Sequence, residues 1–305
     1  MTPPPADAHP TLPWSGVAPD VLALFDAIEW RAQGSLDLSV QGPVRHAIAG
    51  ILGTGEVGLS STSADPRVGP AVAFAEQFVI DVAGMTDELR AAMTAAMGGD
   101  AFSFVQVVFV CDVFSRARIA LGRLFDTPYV MSASPVEADV DLWTLLEQFM
   151  QTVALLSALD PLTTELIRLR GARVHNCRLC RSRRSVRALD AAGDAGTTLF
   201  DEIDDYEHAH FDERQKVALR LTDALVTQPN SIDSALAASV HEYFSVAEIV
   251  ELVLDVVRNA ANKIAVAFGG DAPVVSEGVE FYDIDASGEV VANVDIAAVR
   301  AATAR

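Results

Sequence analysis

The 305-residue chain carries 42 acidic side chains against 22 Lys and Arg, a formal net charge of −20, which excludes a general nucleic-acid or membrane-surface role. Half of its residues are hydrophobic and only 7% aromatic, so the core is built from Ala, Val and Leu in short segments of helical rather than alternating period. The most apolar run, "AFSFVQVVFVCDVF" (101–114), contains Gln106 and Asp112 and is too short to span a bilayer.

Taken in chain order, residues 1–17 are rich in Pro and Ala and are expected to form a disordered lead-in. "MTPPPADAHPTLPW" has neither a basic start nor an apolar leader, and with three cysteines this predicts a reducing, cytoplasmic setting. Residues 18–125 read as one helical unit and 140–270 as a second. A linker rich in Pro, Ser and Ala, 126–139, separates them. The two units look like copies. At a fixed shift of 147, Asp65 meets Asp212, Arg67 meets Arg214, Ala71 meets Ala218, Leu89 meets Leu236, Arg116 meets Lys263 and Gly122 meets Gly269. Each copy reads as helix, turn, helix, turn, long helix.

In the second unit Asp160 before Pro161 marks a helix start. Asp212 can cap a helix that Pro229 stops, and Ser245 with Glu248 forms a capping box opening a helix through about Phe268. In the tail, 271–305, "VEFYDIDASGEVVANVD" alternates apolar and polar residues around "DASG" and reads as a β-hairpin. The spacing does not decide whether it packs on its own chain or on a neighbour. The predicted class is all-α: two tandem helical units with a short hairpin-like tail.

The stretch "VHNCRLCRSRRSVRAL" (174–189) places Cys177 and Cys180 three apart, and arginines at 178, 181, 183, 184 and 187 around them. With Asn176 as N-cap, Cys177 would stand at the first helical position and Cys180 one turn in, where free N–H groups and the helix dipole favour a thiolate. Arg184, four residues after Cys180, would share its helix face and approach the sulfur. The pair itself admits three readings: a redox couple, half of a structural zinc site, or two unpaired core cysteines. His175, His208 and His210 could complete a zinc site of Cys2His2 type, although the spacing is not that of a usual finger. Cys111 reads as a small buried hydrophobe, His241 as a surface or capping residue, and Asp201, Glu202, Asp204 and Asp205 as a solvated face.

The segment "ELIRLRGARVHNCRLCRSRRSVRALDAAG" (165–193), with the run from Phe211 to Phe268, resembles the carboxymuconolactone decarboxylase and alkylhydroperoxidase D family. The redox branch of that family reads as a Glu, an "RLR" helix, a CxxC, a His four residues after the second Cys, then "AG". Its final helix carries an N-x-x-N-R/K pattern, here Asn259, Asn262 and Lys263. The resemblance covers about residues 145–268, and the first unit looks like a degenerate version without CxxC. It implies an all-α fold and assembly into a homo-oligomer, a trimer or dimer of tandem units. It also implies a small hydroperoxide substrate and a dithiol reductant protein, lipoyl or thioredoxin-like.

Carried over, Cys180 would be the peroxide-attacking thiolate, Cys177 the resolving partner and Glu165 the proton-relay glutamate. The relay histidine's place is taken by Arg184, and the residue between the cysteines that can also be His is Leu179. An arginine lowers a thiol pKa but does not shuttle protons near neutral pH. No cofactor or resident metal is implied. The competing functions are a non-redox family member, a decarboxylase or isomerase of a lactone acid, and a non-catalytic assembly protein with a decayed motif. The first copy, lacking CxxC, is expected to pack on the second and shape its pocket.

Overall fold

Capping residues place most of the helices. Asp141, Asp160, Asp212, Asp233 and Ser245 each accept a backbone N–H in the first turn of the helix that follows, and Asp212 and Ser245 do so within complete capping boxes. The computed structural model describes residues 12–14, 16–55, 63–131, 140–193 and 199–294. It is 69% helix and 4% strand.

The first half contains α1 (Pro19–Gln33), α2 (Leu38–Leu52), α3 (Val68–Asp81), α4 (Asp87–Met97), α5 (Ala101–Phe109) and α6 (Ser115–Phe125). A π-helical turn, Val110–Phe114, joins α5 to α6. The second half contains α7 (Leu142–Ala154), α8 (Pro161–Val174), the four-residue α9 (Arg178–Arg181), β1 (Arg183–Ser185) and α10 (Val186–Ala192). It continues with α11 (Glu213–Thr227), α12 (Ser234–Tyr243), α13 (Val246–Ala260), α14 (Asn262–Phe268), β2 (Glu280–Ile284) and β3 (Val290–Ala292). The helix expected to run unbroken to Phe268 breaks at Ala261 into α13 and α14.

Element boundaries follow the 147-residue shift. It carries α3 onto α11, α4 onto α12, and α5–α6 onto α13–α14; it also carries the 3-10 turn Val82–Gly84 onto Pro229–Ser231 and the cap Thr86 onto Asp233. The halves share one main hydrophobic core, in which Phe25, Phe114 and Phe149 meet α13 residues such as Val250 and Leu254. A smaller cluster under α8, α10 and α11 holds Leu166, Leu189, Phe200 and Leu219.

Where the copies meet, Asp112 is fully buried between two cations. Arg116 Nε lies 2.6 Å from one carboxylate oxygen and Lys263 Nζ 2.5 Å from the other. Arg116 also donates to the carbonyls of Val79, Val226 and Thr227, stitching α6 to the ends of α3 and α11. Burial opposes charge on Asp112, yet Lys263 and Arg116 outweigh it and hold the carboxyl below the usual range. Burial brings Lys263 down to about 8 against the attraction of Asp112.

The tail folds back on its own chain. β2 pairs parallel with β1, Arg184 opposite Phe281, and antiparallel with β3, Tyr282 opposite Ala292. At the hairpin turn Gly288 has φ +86°, and a Cβ there would stand 2.2 Å from the Gln151 carbonyl of α7. Only glycine accepts both that conformation and that approach. Part of the expected lead-in is ordered: Trp14 is fully buried, its ring 4.8 Å from Phe125 and 6.1 Å from Tyr129. Residues 1–11, most of linker 126–139 and the end of the tail lie outside the described residues. Among the described residues, no helix is long and apolar enough to cross a membrane.

Candidate functional site

The cysteine motif sits at the end of α8, where the chain turns sharply. Asn176 adopts a left-handed φ of 50° instead of capping a helix. The N-cap is Cys177 itself, whose sulfur accepts the Cys180 N–H at 3.2 Å. The following helix is a single turn, stapled by Asp271: its carboxylate takes the Arg178 N–H at 2.9 Å and the Arg178 guanidinium at 2.7 Å, and its carbonyl takes the Leu179 N–H.

Because that helix ends at Arg181, the register expected for Arg184 does not hold. Arg184 lies in β1, buried, with one nitrogen donating to the Arg181 and Arg183 carbonyls at 2.8 Å, and its guanidinium is 6.0 Å from the Phe200 ring centroid. The arginine run has a different chief use from the one its charge suggests. Arg178 pairs with Asp271, Arg183 with Glu280 and Arg187 with Asp283, so three of its members clamp the tail.

The cation beside Cys180 comes from α8. Arg168, one turn after Glu165, makes a bidentate pair with its carboxylate, both contacts 2.7 Å, and donates to the carbonyls of Cys180 and Arg183 at 2.9 Å. Glu165, 1% exposed, also accepts the Ser185 N–H at 3.1 Å and the Tyr282 hydroxyl at 2.9 Å. Glu165 thus meets the cysteine segment through Arg168, whose guanidinium lies 5.3 Å over the Tyr282 ring.

The two thiols are strongly unequal. Cys177 is fully buried and its thiol is pushed up, first because it donates to Cys180 and then by burial. Cys180 is brought down to about 7: the hydrogen bond from Cys177 acts first, and Arg168, the Asn262 amide and Arg183 add to it against burial. The Cys180 N–H on the Cys177 sulfur would favour charge on the other partner, but a single backbone N–H does not outweigh the bond to Cys180 and complete burial. Cys180 is the thiol positioned to ionise.

Cys180 opens into a cavity of about 140 Å³ lined by Arg168, Leu179, Arg183, Arg258, Asn259, Asn262, Tyr282 and Val290. None of these comes from the first half, so among the described residues that half does not wall the pocket as expected; it buttresses α14 from behind through Asp112 and Lys263. A second cavity of about 230 Å³ lies beyond the shared Tyr282 and Arg258 and is lined by Glu165, Glu251 and Asp255 among others. Burial raises both Glu251 and Asp255, the latter to about 7.

Behind Asn262 sits His175, its Nδ1 2.9 Å from the Asn262 Oδ1. The ring therefore carries its proton on Nδ1, which turns the Asn262 NH2 toward Cys180. Burial first, then Lys263, lowers His175 to about 3. In the unfolded chain this histidine titrates near its ordinary ~6.5. Its contribution to stability is therefore complete above about 6.5 and lost as pH falls toward about 3, at up to ~1.4 kcal/mol per pH unit. A His175→Gln chain is expected to lose this part of the acid sensitivity, visible as a shallower fall of melting temperature between about pH 6.5 and 4; an unchanged slope would refute the assignment. The zinc constellation does not assemble. His208 and His210 are exposed beside Asp205 and Glu202, and among the described residues no three His, Cys, Asp or Glu side chains are grouped to hold a metal.

The chain is 42% identical over 224 residues, 72% of its own length, to the uncharacterized protein MT2376 of Mycobacterium tuberculosis (strain CDC 1551 / Oshkosh), of which it covers 78%. The uncharacterized protein Rv2313c of Mycobacterium tuberculosis (strain ATCC 25618 / H37Rv) matches to the same extent. The chain belongs to their family. No family model matches it, and no solved structure does.

Of the residues singled out from sequence, Cys180 lines the cavity with Cys177 buried beside it, Glu165 joins through Arg168, and Arg184 is not among the lining residues. Arg168, Tyr282 and Arg258 were missed. The i, i+3 spacing of Glu165 and Arg168 was a usable signal; Tyr282 is brought in by the tail from more than a hundred residues away and left none.

Proposed function

We propose that the chain is a thiol-dependent oxidoreductase that reduces small hydroperoxides through Cys180 and Cys177, a member of the carboxymuconolactone decarboxylase and alkylhydroperoxidase D family in its redox branch. The observation that carries this reading is the inequality of the pair: an ionisable Cys180 on a cavity, and a protonated, buried Cys177 in hydrogen-bond contact with it.

The Cys180 thiolate attacks the outer peroxide oxygen. The S–O bond forms as the O–O bond breaks, and the departing alkoxide takes a proton and leaves as the alcohol. Cys180 is then a sulfenic acid, oxidised by two electrons. The Cys177 thiol displaces its oxygen as water and closes the disulfide. A dithiol protein of lipoyl or thioredoxin-like type reopens it. Arg168 supports the thiolate, and Glu165 holds Arg168. The reading is that of a cytoplasmic, homo-oligomeric enzyme. The non-redox alternative, action on a lactone acid, draws on the second cavity and its proton-holding Asp255.

The test treats reduced protein with substoichiometric hydrogen peroxide and maps the products by mass spectrometry. The expected product is a Cys177–Cys180 disulfide, and Cys177→Ala is expected to trap a dimedone-reactive sulfenic acid on Cys180. Oxidation confined to Cys111 or to methionines would refute the proposal.

A further inference from the structure

Three guanidinium groups line the Cys180 cavity, and their charges are not spent alike. Arg168 is neutralised by Glu165, and Arg183 by Glu280. Arg258 donates through Nε to the Met150 carbonyl at 3.0 Å, and among the described residues no carboxylate comes within ion-pair distance of it. At longer range its charge acts on Asp255 and Tyr282, while the thiol's ionisation is supported chiefly by Cys177, Arg168, Asn262 and Arg183. One residue on, Asn259 Nδ2 is buried at the same cavity with no hydrogen-bond acceptor among the described residues. A buried donor left unpaired is costly, so this amide is a group awaiting an acceptor. The remaining wall includes Leu179 and Val290, which are apolar.

We infer that the Cys180 cavity selects a negatively charged substrate, a short-chain hydroperoxide bearing a carboxylate. Arg258 holds the carboxylate, Asn259 Nδ2 donates to one of its oxygens, Leu179 and Val290 contact the alkyl part, and the peroxide group faces Cys180. The volume of about 140 Å³ is close to the ~150 Å³ of a cavity that takes up benzene, which admits a small acid and excludes a fatty-acid hydroperoxide held entirely within it. Arg258 acts here as a binding residue, so its removal weakens capture of an anion and leaves the thiolate in place. The inference rests on the thiol reading above, because it takes Cys180 as the attacking group.

Two alkylating reagents of nearly equal size test it without any peroxide: iodoacetate carries a carboxylate and iodoacetamide does not. Rates of labelling at Cys180 are read peptide by peptide in the full-length reduced protein, and the iodoacetate-to-iodoacetamide ratio is compared with that of the same cysteine in the urea-unfolded chain. The folded protein is expected to show a ratio about fivefold higher, falling to the unfolded value in Arg258→Gln and retained in Arg258→Lys. If Arg258→Gln does not fold, the wild-type ratio must itself fall between about 0.05 M and about 0.5 M NaCl as the site is screened. Labelling by iodoacetamide with no anion preference overturns this inference and leaves the thiol reading standing. Labelling of Cys180 by neither reagent in the folded protein overturns both.

Discussion

Arg168→Met is expected to return the Cys180 thiol toward ordinary behaviour and to destabilise the fold at the same time. The substitution removes a cation that lowers Cys180 and that accounts for both ion-pair contacts of Glu165. A carboxylate 1% exposed would be left with the Ser185 N–H and the Tyr282 hydroxyl alone. Breaking a buried pair from one side costs ~3–5 kcal/mol, or about 10 °C in melting temperature for a chain of this size. The double change Arg168→Met with Glu165→Leu separates the two roles, since replacing both partners by apolar groups is often close to neutral. It is expected to regain most of the stability while Cys180 alkylation keeps its raised midpoint. A single variant with an unchanged alkylation midpoint would remove Arg168 from the site.

Asp112→Asn is expected to cost as much at the join between the copies. The carboxylate binds Arg116 and Lys263 with essentially no solvent in reach, so its neutral isostere leaves two buried cations facing each other. The expected loss is again ~3–5 kcal/mol, and Lys263 is expected to shed its proton below its present value of about 8 as the attraction that holds the charge disappears. Asp112→Asn combined with Lys263→Met should recover part of the loss by removing one of the stranded charges. A melting temperature within about 2 °C of wild type for Asp112→Asn alone would show that the cluster does not hold the halves together.

The helical scaffold was legible because its signals are local. Asp160 with Pro161, the capping boxes at Asp212 and Ser245, and the hairpin around 285–288 each depend on residues within a few positions, and each forms where the spacing puts it. The 147-residue register was visible for the same reason, as a pattern of helix faces and caps. The site was legible only in its cysteines. Extending helical geometry from Cys180 to Arg184 failed because Asn176 turns left-handed, Cys177 takes the cap, and the helix runs out after one turn into β1. The arginine run looked like a device for charging a thiol. Its partners Asp271, Glu280 and Asp283 lie about a hundred residues downstream, where sequence spacing carries no distance information. Trp14 shows the converse: a composition that predicts disorder can still contain one large side chain with enough apolar area to dock on Phe125 and Tyr129.

Peroxide attack at this site requires Cys180 to be the ionised member of the pair, and the labelling rate of each cysteine with iodoacetamide as a function of pH tests this most directly. The structure predicts that Cys180 reacts with a midpoint near 7, against ~8.5 for an ordinary thiol, while Cys177 stays unreactive across the same range. A Cys180 midpoint at or above the ordinary value, or earlier labelling of Cys177, would contradict it.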